Sequence, residues 1–166
     1  MRVLWCITGG EYMLAECVDI LDGLGDVTVV LSAAGEEVAG MYGLLDRIRE
    51  AAAEVVVERE QGSCAPLIMG LRSYGRVVVA PCTANTVAKI ASGIADSLVS
   101  NVVSQALKVG VEVIVLPTDA VGEVKGKTAG GKDIEIRCRD VDIRNVERIR
   151  GEVRVVYSPG ELADAL

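Results

Sequence analysis

The chain alternates between short apolar runs and longer segments in which apolar residues recur every three or four positions. Six of the apolar runs predict buried strands, and they cover residues 2–8, 27–31, 55–57, 77–80, 111–116 and 153–157. Helical spacing is found over residues 11–24, within 36–53, over 66–72, in two segments after residue 83, and from about residue 159. Strands that alternate with helices favour a parallel sheet covered on both faces. The pattern therefore predicts an α/β fold, a three-layer α/β/α sandwich with a Rossmann-like (flavodoxin-like) parallel sheet.

Residues 117–140 depart from this pattern. Apolar Ile134, Ile136 and Cys138 alternate with charged residues, as in a half-exposed strand, and a glycine turn precedes them. We therefore expect a β-hairpin arm near residues 121–139, inserted between the fifth and sixth strands. No internal repeat or linker divides the sequence, so residues 1–166 are predicted to form a single domain.

The composition excludes several classes of site. The 166 residues include no histidine, which rules out Ser-His and Cys-His nucleophile pairs and any zinc site that needs imidazole. The five cysteines are scattered without a CxxC pair, which argues against disulfides and cysteine-held metal clusters. A net charge of −7 and an aromatic content of 3% argue against nucleic-acid binding. No apolar run reaches the roughly 18 residues of a membrane span and no signal peptide is recognisable, so we expect a cytoplasmic protein.

The charges are unevenly distributed along the chain. Residues 123–154 hold nine basic and seven acidic side chains, whereas residues 1–122 hold eight basic and fifteen acidic ones. This basic segment has two interpretations. It is either a solvated surface hairpin or a docking face for an acidic partner or an anionic ligand.

Polar and glycine-rich loops follow three of the predicted strands. Residues 8–10 (TGG) follow the first strand, Ser32 follows the second, and residues 81–86 (PCTANT) follow the fourth. Because the carboxyl ends of parallel strands lie at one edge of a sheet, these loops are expected to converge on one ligand site. Hydroxyl and backbone N–H groups at a helix start favour an anion, most often a phosphate. The structural alternatives are an ordinary glycine turn and a simple N-cap formed by Thr83.

Residues 81–98, PCTANTVAKIASGIADSL, carry the most specific pattern of the chain. They resemble the P-x-S/T-A-N-T-x-A-K-I-A-x-G-I-A-D-x-L segment of the homo-oligomeric flavin-containing cysteine decarboxylase (HFCD) superfamily, and the resemblance extends over residues 1–120. It implies FMN as the cofactor. The residues that it places around the flavin are Thr8, Gly9, Gly10, Ser32, Pro81, Cys82, Thr83, Ala84, Asn85, Thr86, Lys89 and Asp96.

The chain differs from the decarboxylases of this superfamily at two places. Those enzymes use a histidine, which is absent here, and they carry a P-x-M-N-x-x-M segment where residues 116–121 read LPTDAV. The R-E-x-P-L segment of flavin prenyltransferases is also missing. The pattern is most similar to archaeal FMN-binding flavoproteins, including members like dihydromethanopterin reductase, which use FMN for electron transfer.

The resemblance therefore implies an FMN-dependent oxidoreductase that accepts electrons from a ferredoxin-type carrier, with no catalytic residue assigned. One alternative is a decarboxylase or prenyltransferase-like enzyme that uses Asp119 or Glu123 in place of histidine. Another is a non-catalytic flavin-binding subunit. If the protein is an oxidoreductase that accepts electrons from a ferredoxin-type carrier, Lys125, Lys127 and Lys132 would steer that acidic carrier toward the flavin.

The resemblance also implies a homo-oligomer, either a trimer or a multiple of it. A wide apolar stripe over residues 94–107 could be core on one side and subunit interface on the other. The alternative is a helix buried entirely within one chain. The resemblance places Asp96 near the flavin or the subunit contact, and the alternative is a simple N-cap of this helix.

Overall fold

The fold is that of a computed structural model, which describes all 166 residues. The strands are β1 (Val3–Ile7), β2 (Val27–Leu31), β3 (Glu54–Val57), β4 (Arg76–Cys82), β5 (Glu112–Pro117), β6 (Glu123–Lys127), β7 (Asp133–Arg137) and β8 (Arg154–Val155). Six of them form one sheet in the order β3-β2-β1-β4-β5-β8, in which all pairs are parallel. The remaining pair, β6 and β7, forms an antiparallel hairpin.

Helices cover both faces of the sheet. They are α1 (Leu14–Leu21), α2 (Ala33–Met41), α3 (Leu45–Ala51), α4 (Glu58–Gln61), α5 (Ala84–Ala91), α6 (Leu98–Val109), α7 (Asp140–Ile149) and α8 (Pro159–Ala165), with a 3-10 helix over Pro66–Ser73. Helices α1, α2, α3 and α8 pack on one face. Helices α5, α6, α7 and the 3-10 helix pack on the other. The predicted three-layer α/β/α sandwich with a Rossmann-like parallel sheet is confirmed.

The central strand β1 shows why the sequences of the strands are continuous apolar runs. Trp5 and Ile7 point into the core on one face of the sheet, whereas Leu4 and Cys6 point into the core on the other. All four are fully buried, so neither face of the strand tolerates polar side chains. The indole N–H of Trp5 donates to the carbonyl of Ala80 at 2.7 Å, which satisfies its only polar group.

Several predicted helix boundaries are wrong, and backbone geometry explains each one. The helix predicted over 11–24 begins only at Leu14, because Met13 adopts a positive φ of 64°. The helix predicted within 36–53 is two helices, separated at Gly43 with a φ of 68°. By contrast, the two helices predicted after residue 83 are confirmed, and they are separated at Gly93, whose φ is 69°. Positive φ values interrupt the regular helical hydrogen bonds.

The hairpin arm predicted near residues 121–139 is present and rests on the body of the molecule. The hydroxyl of Tyr42 donates to the carbonyl of Lys127 at 2.8 Å. Within the arm, the N–H of Cys138 donates to the carbonyl of Gly122 at 2.8 Å and closes the base of the hairpin. The rest of the basic segment is helix α7, where Val146 and Ile149 are buried against the sheet. The interpretation of the segment as a solvated hairpin is therefore correct for β6 and β7, where only Val124 is buried, and wrong for α7.

Most of the apolar stripe over residues 94–107 belongs to the core of the chain. Its members Leu98, Val99, Val102, Val103 and Ala106 are at most 1% exposed. They cover the face of the sheet that α6 packs against. Ile94 is 48% exposed and Leu107 is only partly buried, so the stripe is not buried entirely within one chain, and a subunit interface at its exposed end stays a prediction.

All five cysteines are free thiols, and only Cys64 is exposed. Burial raises the pKa of the Cys6, Cys17 and Cys82 thiols, which disfavours the reactive thiolate.

The longest helix, α6, has 12 residues, and none of the helices combines the length and the apolar character that crossing a membrane requires.

Candidate functional site

A cleft of about 390 Å³ opens at the carboxyl edge of the sheet. It lies beside β1 and β4, the neighbouring strands from which the strand order runs outward in opposite directions. Such a switch point is the usual ligand position in open α/β sheets. The lining residues are Thr8, Gly9, Ser32, Ala33, Ala34, Glu58, Thr83, Asn85, Thr86, Lys89 and Ser97.

The structure brings seven of the twelve predicted site residues to this cleft: Thr8, Gly9, Ser32, Thr83, Asn85, Thr86 and Lys89. The other five do not line it. Pro81 and Cys82 are buried in strand β4, and Ala84 begins the helix behind them. A Cβ at Gly10 would lie 2.8 Å from the Thr118 methyl group, so Gly10 faces the end of β5. Contact of any of these residues with a flavin stays a prediction.

Thr8 joins the two strands that border the cleft. Its hydroxyl donates to the carbonyl of Pro81 at 2.8 Å and accepts from the backbone N–H of Thr83 at 2.8 Å. Its own N–H donates to the carbonyl of Pro81 at 3.2 Å. The side chain is almost fully buried. The loop after β1 and the loop after β4 are thus held in one fixed arrangement.

Two small hydroxyl residues cap the helices that point into the cleft. Ser32 accepts from the N–H of Gly35 at the start of α2, and Thr83 accepts from the N–H of Thr86 at the start of α5. The N-cap role that the sequence predicted for Thr83 is correct. The first-turn N–H groups of Ala84 and Asn85 have no intrahelical acceptor. The partial positive charge of these N–H groups lies at the cleft and favours the binding of an anion there.

Glycine allows the two walls of the cleft to approach each other. A Cβ at Gly9 would lie 2.7 Å from the Cβ of Ala34, and a Cβ at Gly35 would overlap the carbonyl of Ile7. Helix α2 therefore packs directly against the backbone that leaves β1. Only glycine permits this close approach.

Glu58 is a lining residue that the sequence analysis missed. One carboxylate oxygen accepts from the N–H of Ala33 at 3.1 Å, and the other accepts from the N–H of Leu98 at 2.6 Å. A single carboxylate thus occupies the N-termini of both α2 and α6, where helix dipoles favour negative charge. The sequence feature that could have identified Glu58 as a site residue is its position directly after the third predicted strand, at the same sheet edge as the other loops.

Lys89 and Asp96 form an ion pair at the mouth of the cleft. Their nitrogen and oxygen atoms are 2.7 Å apart, and the hydrogen bond from Lys89 lowers the pKa of Asp96. The expected N-cap role of Asp96 is wrong, because Ser97 caps α6 with a reciprocal capping box to Ser100. Asp96 instead orients the one lysine that lines the cleft.

Sequence comparisons identify relatives of the chain. It is 37% identical over 132 residues to a dihydromethanopterin reductase (acceptor) from Methanocaldococcus jannaschii, and 40% identical over 136 residues to one from Methanosarcina mazei. The matches cover 72% and 74% of this chain but only 54% and 57% of the relatives. The chain thus spans little more than half the length of these two reductases.

A solved structure and a family-wide sequence pattern indicate the same kind of protein as these relatives. The structure of Burkholderia xenovorans DmrB in complex with FMN, described as a cubic protein cage for redox transfer, superposes with a TM-score of 0.87 at 34% identity. The superposition covers 99% of this chain and 92% of DmrB. The Flavoprotein family pattern matches residues 1–161. The resemblance seen in residues 81–98 is confirmed, and the chain belongs to the Flavoprotein family.

Proposed function

We propose that the chain binds FMN in the cleft between β1 and β4 and acts as an FMN-dependent oxidoreductase. The observation that carries this proposal is the convergence of two capped helix N-termini and Lys89 on one cleft. The 34% identity to DmrB, whose structure contains FMN, supports the same assignment. FMN supplies the electron-transfer chemistry when bound, so the protein has to supply position and electrostatics.

The residues of the cleft fit a phosphorylated flavin. The backbone N–H groups at the start of α5 and the hydroxyls of Thr83 and Thr86 would hold the phosphate, with Lys89 nearby. The two oxygens of Glu58 already accept from backbone N–H groups, which reduces repulsion between its charge and a bound phosphate. The loop TGGEYM after β1 lacks the G-x-G-x-x-G pattern of dinucleotide sites, which favours FMN over FAD or NAD.

Surface charge and the relatives support a proposed electron donor and a proposed acceptor. We propose a ferredoxin-type donor, because the segment from the hairpin to the start of α7 carries exposed basic residues on an otherwise acidic chain: Lys125, Lys127, Lys132, Arg137 and Arg139. Opposite charges speed the encounter of redox partners. We propose a dihydropterin as the acceptor, by analogy with the reductases that share 37% and 40% identity with this chain.

We also propose that the chain forms one domain and assembles into a homo-oligomer. The sheet takes β1 and β8 from opposite ends of the chain, which supports a single domain over residues 1–166. DmrB, at 34% identity, is described as a cubic cage, which supports a trimer or a multiple of it. Light scattering of the flavin-loaded protein tests the assembly, and a stable monomer would contradict it.

Cofactor release tests the central proposal. The purified protein should show a flavin absorbance spectrum, and mass spectrometry of the released cofactor should identify FMN. Asn85→Leu should weaken FMN retention, because Asn85 lines the cleft. Gln61→Leu, at an exposed amide outside the cleft, is the matched control. Finding FAD, or no flavin after reconstitution, would refute the proposal.

Reduction kinetics test the electron donor. Reduced ferredoxin should reduce the bound flavin under anaerobic conditions, at a rate that falls with salt as charges are screened. A variant in which Lys125, Lys127 and Lys132 are all glutamine should react more slowly and show a smaller salt dependence. Identical rates would remove the hairpin from the docking face. Release of carbon dioxide from a cysteine-terminated peptide would instead favour the decarboxylase alternative.

A further inference from the structure

Three helices begin at the cleft between β1 and β4, and their first turns are occupied to different degrees. The cleft is lined by the N-cap residue of each helix: Ser32 before α2, Thr83 before α5 and Ser97 before α6. Each N-cap hydroxyl accepts from the N–H of the third residue after it. The N–H groups of the first two residues of each helix therefore need acceptors from elsewhere.

Glu58 supplies such an acceptor to α2 and to α6. Its carboxylate oxygens accept from the N–H groups of Ala33 and Leu98, at 3.1 and 2.6 Å, and these are the first residues of the two helices. The carboxylate therefore lies where an anion bound by either helix would lie. At the start of α5, by contrast, the N–H groups of Ala84 and Asn85 have no acceptor in the chain.

The side chains of the cleft divide it in the same way. Lys89 and Glu58 are the only charged residues that line it. Lys89 belongs to α5, so the ammonium and the two free N–H groups lie on one helix. Glu58 follows β3 and holds the starts of α2 and α6. The cleft thus has one side that attracts an anion and another side that is already occupied by one.

We propose that Glu58 is a specificity residue, which restricts the flavin site to a ligand with a single phosphate group. The inference rests on the proposed FMN site. The phosphate would bind at the start of α5, where N–H groups are free and Lys89 is close. A second phosphate would find the N–H groups of Ala33 and Leu98 engaged and would be repelled by the carboxylate of Glu58. A flavin diphosphate should therefore bind more weakly than the monophosphate.

Binding of two flavins that differ by one phosphate group tests this inference. The probes are FMN and riboflavin 5′-diphosphate, and calorimetry measures their affinities for the cofactor-free protein. The wild type should bind FMN about tenfold more tightly, as expected for a like-charge repulsion across a few ångströms in a partly exposed site. Glu58→Ala removes the charge and frees both N–H groups, so it should lose this preference. Glu60→Ala, which removes an exposed carboxylate of the same helix, should keep it.

Glu58→Gln separates the charge from the helix caps and keeps the test decisive if Glu58→Ala does not fold. Glutamine retains a hydrogen-bond acceptor but lacks the charge, so this variant should lose the preference as well. If Glu58 were only a structural cap, both variants would keep the wild-type preference. That result, or equal affinities of the wild type for the two flavins, would overturn the inference.

Inorganic phosphate provides a second measurement, on the FMN-loaded protein. In the wild type the flavin phosphate and Glu58 occupy the three helix starts, so added phosphate should not raise the melting temperature above that in chloride at equal ionic strength. In Glu58→Ala the freed N–H groups can bind the added anion, and the melting temperature should rise by about 2–4 °C. No rise in Glu58→Ala would contradict the inference. A wild type that binds neither flavin would instead contradict the proposed function.

Discussion

The hydroxyl of Thr8 accepts a hydrogen bond from the backbone N–H of Thr83 at 2.8 Å. The two residues are 75 positions apart in the chain, and each follows the end of a strand. The bond joins the turn after β1 to the N-cap of α5, which form two walls of the same cleft. The shape of the candidate flavin site therefore depends on one buried side chain.

Replacement of Thr8 by valine tests this link. T8V keeps the side-chain volume but removes the acceptor of the Thr83 N–H, so we expect a loss of about 1–3 kcal/mol in the free energy of unfolding. T8S retains the hydroxyl and should lose less. Urea denaturation measures both variants. If T8V and T8S are equally stable, the hydroxyl does not support the cleft.

Replacement of Gly35 tests the close approach of α2 to β1. G35A would push a methyl group into the carbonyl of Ile7, so we expect it to destabilise the fold by about 1–3 kcal/mol. G25A is the matched control, because a Cβ at Gly25 meets no atom within 4 Å. G25A should leave stability unchanged or raise it by about 0.4–1 kcal/mol. Thermal unfolding of the two variants compares them, and equal melting temperatures would contradict the packing argument.

Glu58 should stabilise the fold through two helix N-termini at once. E58A removes the acceptor of the Ala33 and Leu98 N–H groups, and we expect a loss of about 1–2 kcal/mol, the range of a lost N-cap. E58Q keeps an acceptor without the charge and should lie between E58A and the wild type. E60A, at an exposed position of the same helix, should change stability by less than about 0.5 kcal/mol. An E58A variant as stable as E60A would show that Glu58 does not hold the two helices.

Asp142 should make stability depend on acid pH. Hydrogen bonds from Arg139 lower the pKa of this buried carboxyl, whereas the unfolded chain keeps a value of about 3.9. The ionised form therefore stabilises the fold fully above that value, and this contribution is lost as the pH falls through the lowered pKa. We expect D142N to lose about 1–2 kcal/mol at neutral pH and to show a flatter acid unfolding curve.

The contrast with Asp96 provides the control for this prediction. Lys89 lowers the pKa of Asp96 as well, but the side chain of Asp96 is 60% exposed and its ion pair is screened by water. D96N should therefore leave the acid unfolding curve close to that of the wild type. Equal curves for D142N and the wild type would mean that the Arg139–Asp142 pair does not contribute.

Local patterns explain what could be predicted about the site. Ser32 and Thr83 follow apolar strands and precede helical spacing, and both are N-caps in the structure. Lys89 follows one turn later and lines the cleft. Asp96 and Ser97 are adjacent and both can cap a helix, so local sequence did not decide between them. The ion pair with Lys89, seven residues away, engages Asp96 and leaves Ser97 as the cap.

The α/β architecture, the hairpin arm and seven of the residues that line the cleft could be predicted from the amino-acid sequence, because strand ends and helix starts depend on neighbours a few residues apart. The family followed from the resemblance of residues 81–98 to a known segment. The three-dimensional packing was needed to show that Glu58 serves two distant helices, that most of the apolar stripe of α6 is core, and that Glu11 Oε1 is buried without a partner. Each of these depends on which buried groups satisfy one another across the fold, and spacing along the chain does not carry that information.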